Sequence, residues 1–142
     1  MTTKMTGFAV LVAAALFSSV LQAQETVSLD QIKAADTVAE FTALGARQLT
    51  ADEFNERVVG HPMDEGSWTW IINADGTHSS QADDGSWTDS GGTWDFVDDG
   101  RNQYCRESPG NPRSCNSVYM LGTYLRVADT LGTLSDWTIE VQ

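Results

Sequence analysis

Apolar residues run almost unbroken from Phe8 to Leu21, interrupted only by Ser18 and Ser19. Lys4 precedes the run, and Ala23 stands just before the polar Gln24-Glu25-Thr26. A positive start, a short apolar stretch and a small residue at its end mark a secretory signal peptide. The run falls short of the ~20 residues a spanning helix needs. A signal peptide over 1–23 is therefore expected, with no stable membrane span after its cleavage.

Beyond it the period becomes helical. Leu29, Ile32, Ala35 and Ala39 recur at helical spacing, with Phe41 close to the same stripe. Ser28-Leu29-Asp30-Gln31 matches a capping box, in which side chains at both ends satisfy orphan backbone donors. The spacing predicts one helix from Ser28 to a point before Gly45. Thr50-Ala51-Asp52-Glu53 is a second box, with Leu49 and Phe54 at the hydrophobic staple positions. Val58 and Val59 continue that stripe, and Gly60 supplies a natural stop.

From Ser67 the alternation becomes strand-like. Trp68, Trp70 and Ile72 interleave with Thr69, Ile71 and Asn73. Turn formers then punctuate the chain at Asn73-Ala74-Asp75-Gly76, Asp83-Asp84-Gly85, Asp89-Ser90-Gly91-Gly92 and Asp98-Asp99-Gly100. Strands are expected over 77–81, 93–97, 101–106, 114–121, 123–127 and 136–141. Short strands at such spacing predict a mainly β fold, an antiparallel meander, small barrel or sandwich with one or two short N-terminal helices. A length of 142 residues suits one such domain. Its parts are a signal peptide over 1–23, a helical segment over 24–60 packed on the sheet, and an antiparallel β domain over 61–142. Within the β part, Asp64-Glu65-Gly66-Ser67-Trp68-Thr69 echoes Asp84-Gly85-Ser86-Trp87-Thr88. Repeat architectures have longer, regular periods, so the echo reads as recurring hairpin chemistry, a turn glycine followed by a core tryptophan.

Charge narrows the partners. Lys and Arg number 8 against 20 Asp and Glu, a net charge of −12. Such a surface repels phosphate backbones and excludes nucleic acid as a partner. Export gives the two cysteines their meaning, because an even pair in an oxidising compartment usually bonds. Pro109, Gly110, Asn111 and Pro112 lie between them. Folding the chain about Gly110 sets Cys105 opposite Cys115, and Glu107 opposite Arg113 as a cross-strand ion pair.

Other chemistry finds little footing. The acidic turns invite calcium, but no glycine falls at the sixth position of a proper EF-hand loop. A histidine zinc site would need both His61 and His78 plus a carboxylate, brought together from separate segments, and each histidine reads instead as a solvated or hydrogen-bonded residue. No GxSxG, HExxH or phosphate loop is present. No cofactor, metal site or catalytic residue is therefore assigned. The tryptophans remain. Trp68, Trp70 and Trp94 share their alternation with Ile72 and Phe96, which points them into a core or a hydrophobic cup. Such a cup in a small barrel can hold one small ligand.

Leu49-Thr50-Ala51-Asp52-Glu53, the Trp-rich strand, Asp75-Gly76-Thr77, Gly92-Thr93-Trp94, Tyr104-Cys105-Arg106, Cys115 and Val118-Tyr119 follow in that order. Over residues 45–127 the chain resembles the small secreted β-rich domains of unknown function found in proteobacteria. That resemblance implies a lipocalin-like or half-barrel sheet and a periplasmic or secreted home. In size, export and disulfide the chain is also similar to small periplasmic lysozyme inhibitors, although it lacks their Ser-Gly-x-x-Tyr loop. The expected role is non-enzymatic binding of a small apolar or amphipathic ligand, or of a basic protein, by a monomer in the cell envelope. Trp68, Trp70, Trp94, Tyr104 and Tyr119 are the expected ligand-binding residues. The alternatives are a hydrolytic enzyme or a calcium- or carbohydrate-binding module.

Overall fold

The structure, a computed structural model, describes residues 26–142, and the expected leader over 1–23 lies outside them. Helices α1 (Leu29–Ala34) and α2 (Val38–Ala43) start at Ser28 and Thr37, each closing a capping box with Gln31 or Glu40. The single helix expected up to Gly45 is thus two. Ala35 is extended at φ −76°, ψ 117°, and the Glu40 carboxylate accepts from the N–H groups of Asp36 and Thr37 at 2.9 and 3.0 Å. A second cap inside the periodic stretch outweighs the period. Strand β1 (Arg47–Gln48) follows, then α3 (Ala51–Arg57), which begins at the predicted Thr50–Glu53 box.

The remaining strands are β2 (Met63–Asp64), β3 (Trp68–Ile72), β4 (Thr77–Ala82), β5 (Thr88–Val97), β6 (Gln103–Ser108), β7 (Asn111–Leu121), β8 (Tyr124–Ala128) and β9 (Ile139–Val141). Each pairs antiparallel with the next, and β9 returns to β2 through Met63↔Val141 and Asp64↔Glu140. The result is a closed, eight-stranded, up-and-down barrel. β1 extends it beside β7 through Arg47↔Met120 and Gln48↔Tyr119.

Two local expectations are corrected. The Asp89–Gly92 stretch does not break the chain. It is a bulge within β5, where His78 pairs Gly92 and Ser79 pairs Ser90, leaving Gly91 as the extra residue at φ +93°. Glu107 forms no ion pair with Arg113 either. The β6–β7 register shifts between Arg106↔Ser114 and Ser108↔Asn111. Glu107 pairs Thr93 on its β5 side and acts on Arg113 only through its charge, while Arg113 pairs the Asp95 carboxylate, Nη2 to Oδ2 at 2.7 Å. The Cys105–Cys115 disulfide is present, its half-cystines direct cross-strand partners with Cα atoms 4.0 Å apart.

Side chains fill the barrel. Trp70, Ile72, Tyr104, Val118, Met120, Leu125, Ile139 and Val141 point inward, and Phe54 enters from α3. The Phe54 ring centroid lies 5.1–5.7 Å from those of Trp94, Phe96 and Tyr104. The void left among these groups is about 10 Å³, at most room for one water. Outside, α1 and α2 cover the outward face of β7 and β8 through Ile32, Ala35, Phe41, Ala128 and Leu134. Arg126, only 2% exposed, fastens this layer. Its Nη1 donates to the carbonyls of Ile32 (2.9 Å) and Ala35 at the end of α1, and its Nη2 donates to Ser135. Among the described residues no helix is long and apolar enough to cross a membrane.

Candidate functional site: a tryptophan cleft at the barrel mouth

An up-and-down barrel sends alternate turns to opposite ends. Helix α3 caps one end, where Gly60 N–H donates to the Ile72 carbonyl at 2.7 Å. The other end gathers the β2–β3, β4–β5 and β6–β7 turns and the connection into β9. The two echoed segments meet there. Asp64 Oδ1 accepts from Gly66 N–H at 2.6 Å, and Asp84 Oδ1 from Ser86 N–H at 2.9 Å. These are Asx turns, which set the next strand's direction. Asp83 N–H then donates to the Ser67 carbonyl (3.1 Å) and Ala82 N–H to that of Trp87 (3.0 Å). Equivalent chemistry in the two turns therefore delivers Trp68 and Trp87 to one cleft of about 290 Å³.

Trp70 and Trp137 complete its aromatic lining. Trp68 meets the edge of Trp137 at 5.9 Å between centroids and lies 6.3 Å from Trp70. Trp70 is buried, Trp68 half-buried, and Trp87 and Trp137 remain 45% exposed. Large indoles left open beside one another are what a folded core avoids and a binding surface uses.

The polar wall comes from β4, β5 and β6. His78 and Ser80 project from β4, with Asp89 directly opposite Ser80 and Arg106 on β6. Arg106 Cζ stands 5.3 Å from the Trp70 ring centroid, a cation–π contact. The His78 ring stands edge-on to Trp70 at 6.1 Å. It is seated over Gly92, where a Cβ would lie 2.0 Å from its Nε2. That nitrogen is buried without a hydrogen-bond partner, so among the described residues no serine hydroxyl reaches it. Burial holds His78 below its ordinary value and Arg106 adds to this, against the backbone of Glu107 and the charge of Asp89. The imidazole is thus a neutral part of the wall. Beyond Asp89 and Arg106 the cleft opens into a second cavity of about 350 Å³, walled by Glu107, Ser108, Asn111, Pro112 and Ser114.

The acidic turns are occupied by backbone. Asp75 Oδ1 accepts from the N–H and hydroxyl of Thr77, and Asp129 Oδ1 from the N–H groups of Leu131 and Thr133. Among the described residues no group of three or more His, Cys, Asp or Glu is placed to hold a metal ion.

The five expected ligand-binding residues fall in different places. Trp68 and Trp70 line the cleft. Tyr104 lies beneath it in the packed interior, its ring 5.8 Å from Trp70. Trp94 lies toward the capped end, its Nε1–H donating to the Asn73 carbonyl at 2.7 Å. Tyr119 is on the outer face of β7, against the helical layer. Sequence reasoning missed Trp87, Trp137, Asp89 and Arg106. The echo held the signal for Trp87, since it repeats the setting of Trp68. Trp137 joins through a connection with no local signature. Comparison with protein-family models, curated proteins and solved structures finds no match to this chain.

Proposed function

We propose that this barrel is a non-enzymatic binding protein, which holds a small amphipathic molecule in the cleft at its open end. The observation that carries this reading is the pair of half-exposed indoles, Trp87 and Trp137, standing beside Trp68 and Trp70 over a cleft of about 290 Å³. Binding sites are typically concave and mostly apolar, with a few polar groups that fix orientation. Here Asp89, Arg106 and Ser80 supply those groups. Ligand storage inside the barrel, as in a lipocalin-like cup, is disfavoured by the filled interior. The Cys105–Cys115 bond supports a periplasmic or secreted home, where disulfides persist.

Titration with N-phenyl-1-naphthylamine, an uncharged anilinonaphthalene fluorophore with a flat apolar body and one polar N–H, tests the proposal. Saturable enhancement is expected with the parent protein and its loss with the Trp87→Ala, Trp137→Ala double variant. Equal enhancement in both, or none in the parent, would refute it.

A further inference from the structure

We infer that the molecule held at the barrel mouth is a neutral oligosaccharide, a claim that rests on the binding role proposed above and names its ligand class. Depth comes first. Below Trp70 the interior void is only about 10 Å³, so a long apolar body has nowhere to descend. The ligand stays at the mouth and presents a flat face to the indoles. Sugar rings do this, because their axial C–H faces stack on the electron-rich face of an aromatic ring.

The polar annex sets the second condition. The cavity of about 350 Å³ that continues past Asp89 and Arg106 offers carboxylate acceptors, guanidinium donors and the two-way amide of Asn111. Arg106 forms no ion pair among the described residues, so its outer N–H groups remain available. Hydroxyl groups both donate and accept, and a row of them satisfies such a mixed wall without leaving a polar group unpaired.

Charge sets the third. The chain's net charge of −12 opposes an anion. Arg106 already lies over Trp70 and opposes a second cation there. A ligand with one flat apolar face, hydroxylated edges and no charge meets all three conditions. Two adjoining cavities that share Asp89 and Arg106 fit successive rings of one chain.

The test is calorimetric titration of the intact protein with cellotetraose, tetra-N-acetylchitotetraose and maltotetraose, alongside the anilinonaphthalene probe. At least one tetrasaccharide is expected to bind saturably and to displace the fluorophore. Trp137→Ala is expected to weaken sugar and probe alike by about tenfold. Asn111→Ala is expected to weaken the sugar by a similar factor and leave the probe unchanged, a split that general loss of folding would not produce. Binding of the probe with no response to any tetrasaccharide would overturn this inference and leave the amphipathic reading standing. Silence from probe and sugars would overturn both. Sugar affinity untouched by Trp137→Ala would overturn the placement.

Discussion

The seat of His78 over Gly92 is a lock between two residues on neighbouring strands. Gly92 has an ordinary φ, so its lack of a side chain answers space rather than backbone conformation. Gly92→Ala places a methyl group 2.0 Å from Nε2, and overpacking of this kind costs about 1–3 kcal/mol. A lowered denaturant midpoint is expected, with recovery when His78→Ser is added. A double-mutant cycle with no coupling would show that the contact is absent. Periodicity placed His78 in a strand but left Gly92 in a turn. It gave no hint that they face each other, because the Gly91 bulge that sets their register reads in sequence as a turn.

Helix α3 is the best case for legible local structure. Its capping box, its staple and its apolar stripe all agreed, and Phe54 took the fourth helical position. The sequence could not say that this helix closes a barrel, since the partners Trp94, Phe96 and Tyr104 lie far along the chain. Phe54→Ala is expected to cost about 3–5 kcal/mol, measured by urea denaturation, and to open the capped end to solvent. The β6–β7 hairpin was also legible, because turn formers between two cysteines fix their opposition. Closing so short a loop contributes roughly 2.5–3 kcal/mol in the chain-entropy account. Reduction should lower the thermal midpoint accordingly, and an unchanged midpoint would show that the ladder alone holds the hairpin. The shortest strands, β1 and β2, stayed invisible. Each is two residues long, too short to show a period, and is defined by its partners alone.

At the scale of the molecule, stability should follow pH in distinct steps. His78 has a folded pKa lowered by burial. Its contribution is fully present above its ordinary value of 6.5 and is lost as pH falls below it, because the unfolded chain then binds the proton first. Asp75, Asp84, Asp95 and Asp99 are held low mainly by hydrogen bonds to Thr77, Ser86, Arg113 and Arg101. Their share disappears only below the ordinary 3.8. Tyr104 runs the other way. Burial raises its phenol, so its contribution is intact below the ordinary 10.0 and lost above it. Thermal melts should therefore show a fall in midpoint between neutral pH and pH ~5 that His78→Gln removes. A variant with an unaltered slope would assign that step elsewhere. The overall class, strands around one core after a helical start, was readable from the change of period. The meeting of four tryptophans at one end was not, since it depends on how the whole ring is wound.

A closed ring has no free end from which to unzip, and no bare edge for a neighbouring chain to copy. It gives first at its weakest seam. That seam is the stretch of β2 and β9, where β2–β3, β2–β9 and β8–β9 are each joined by two residue pairs. Trp137 sits on the linker that leads into it. One wall of the cleft therefore travels with the latch of the barrel, and whatever grips that indole also holds the hoop shut.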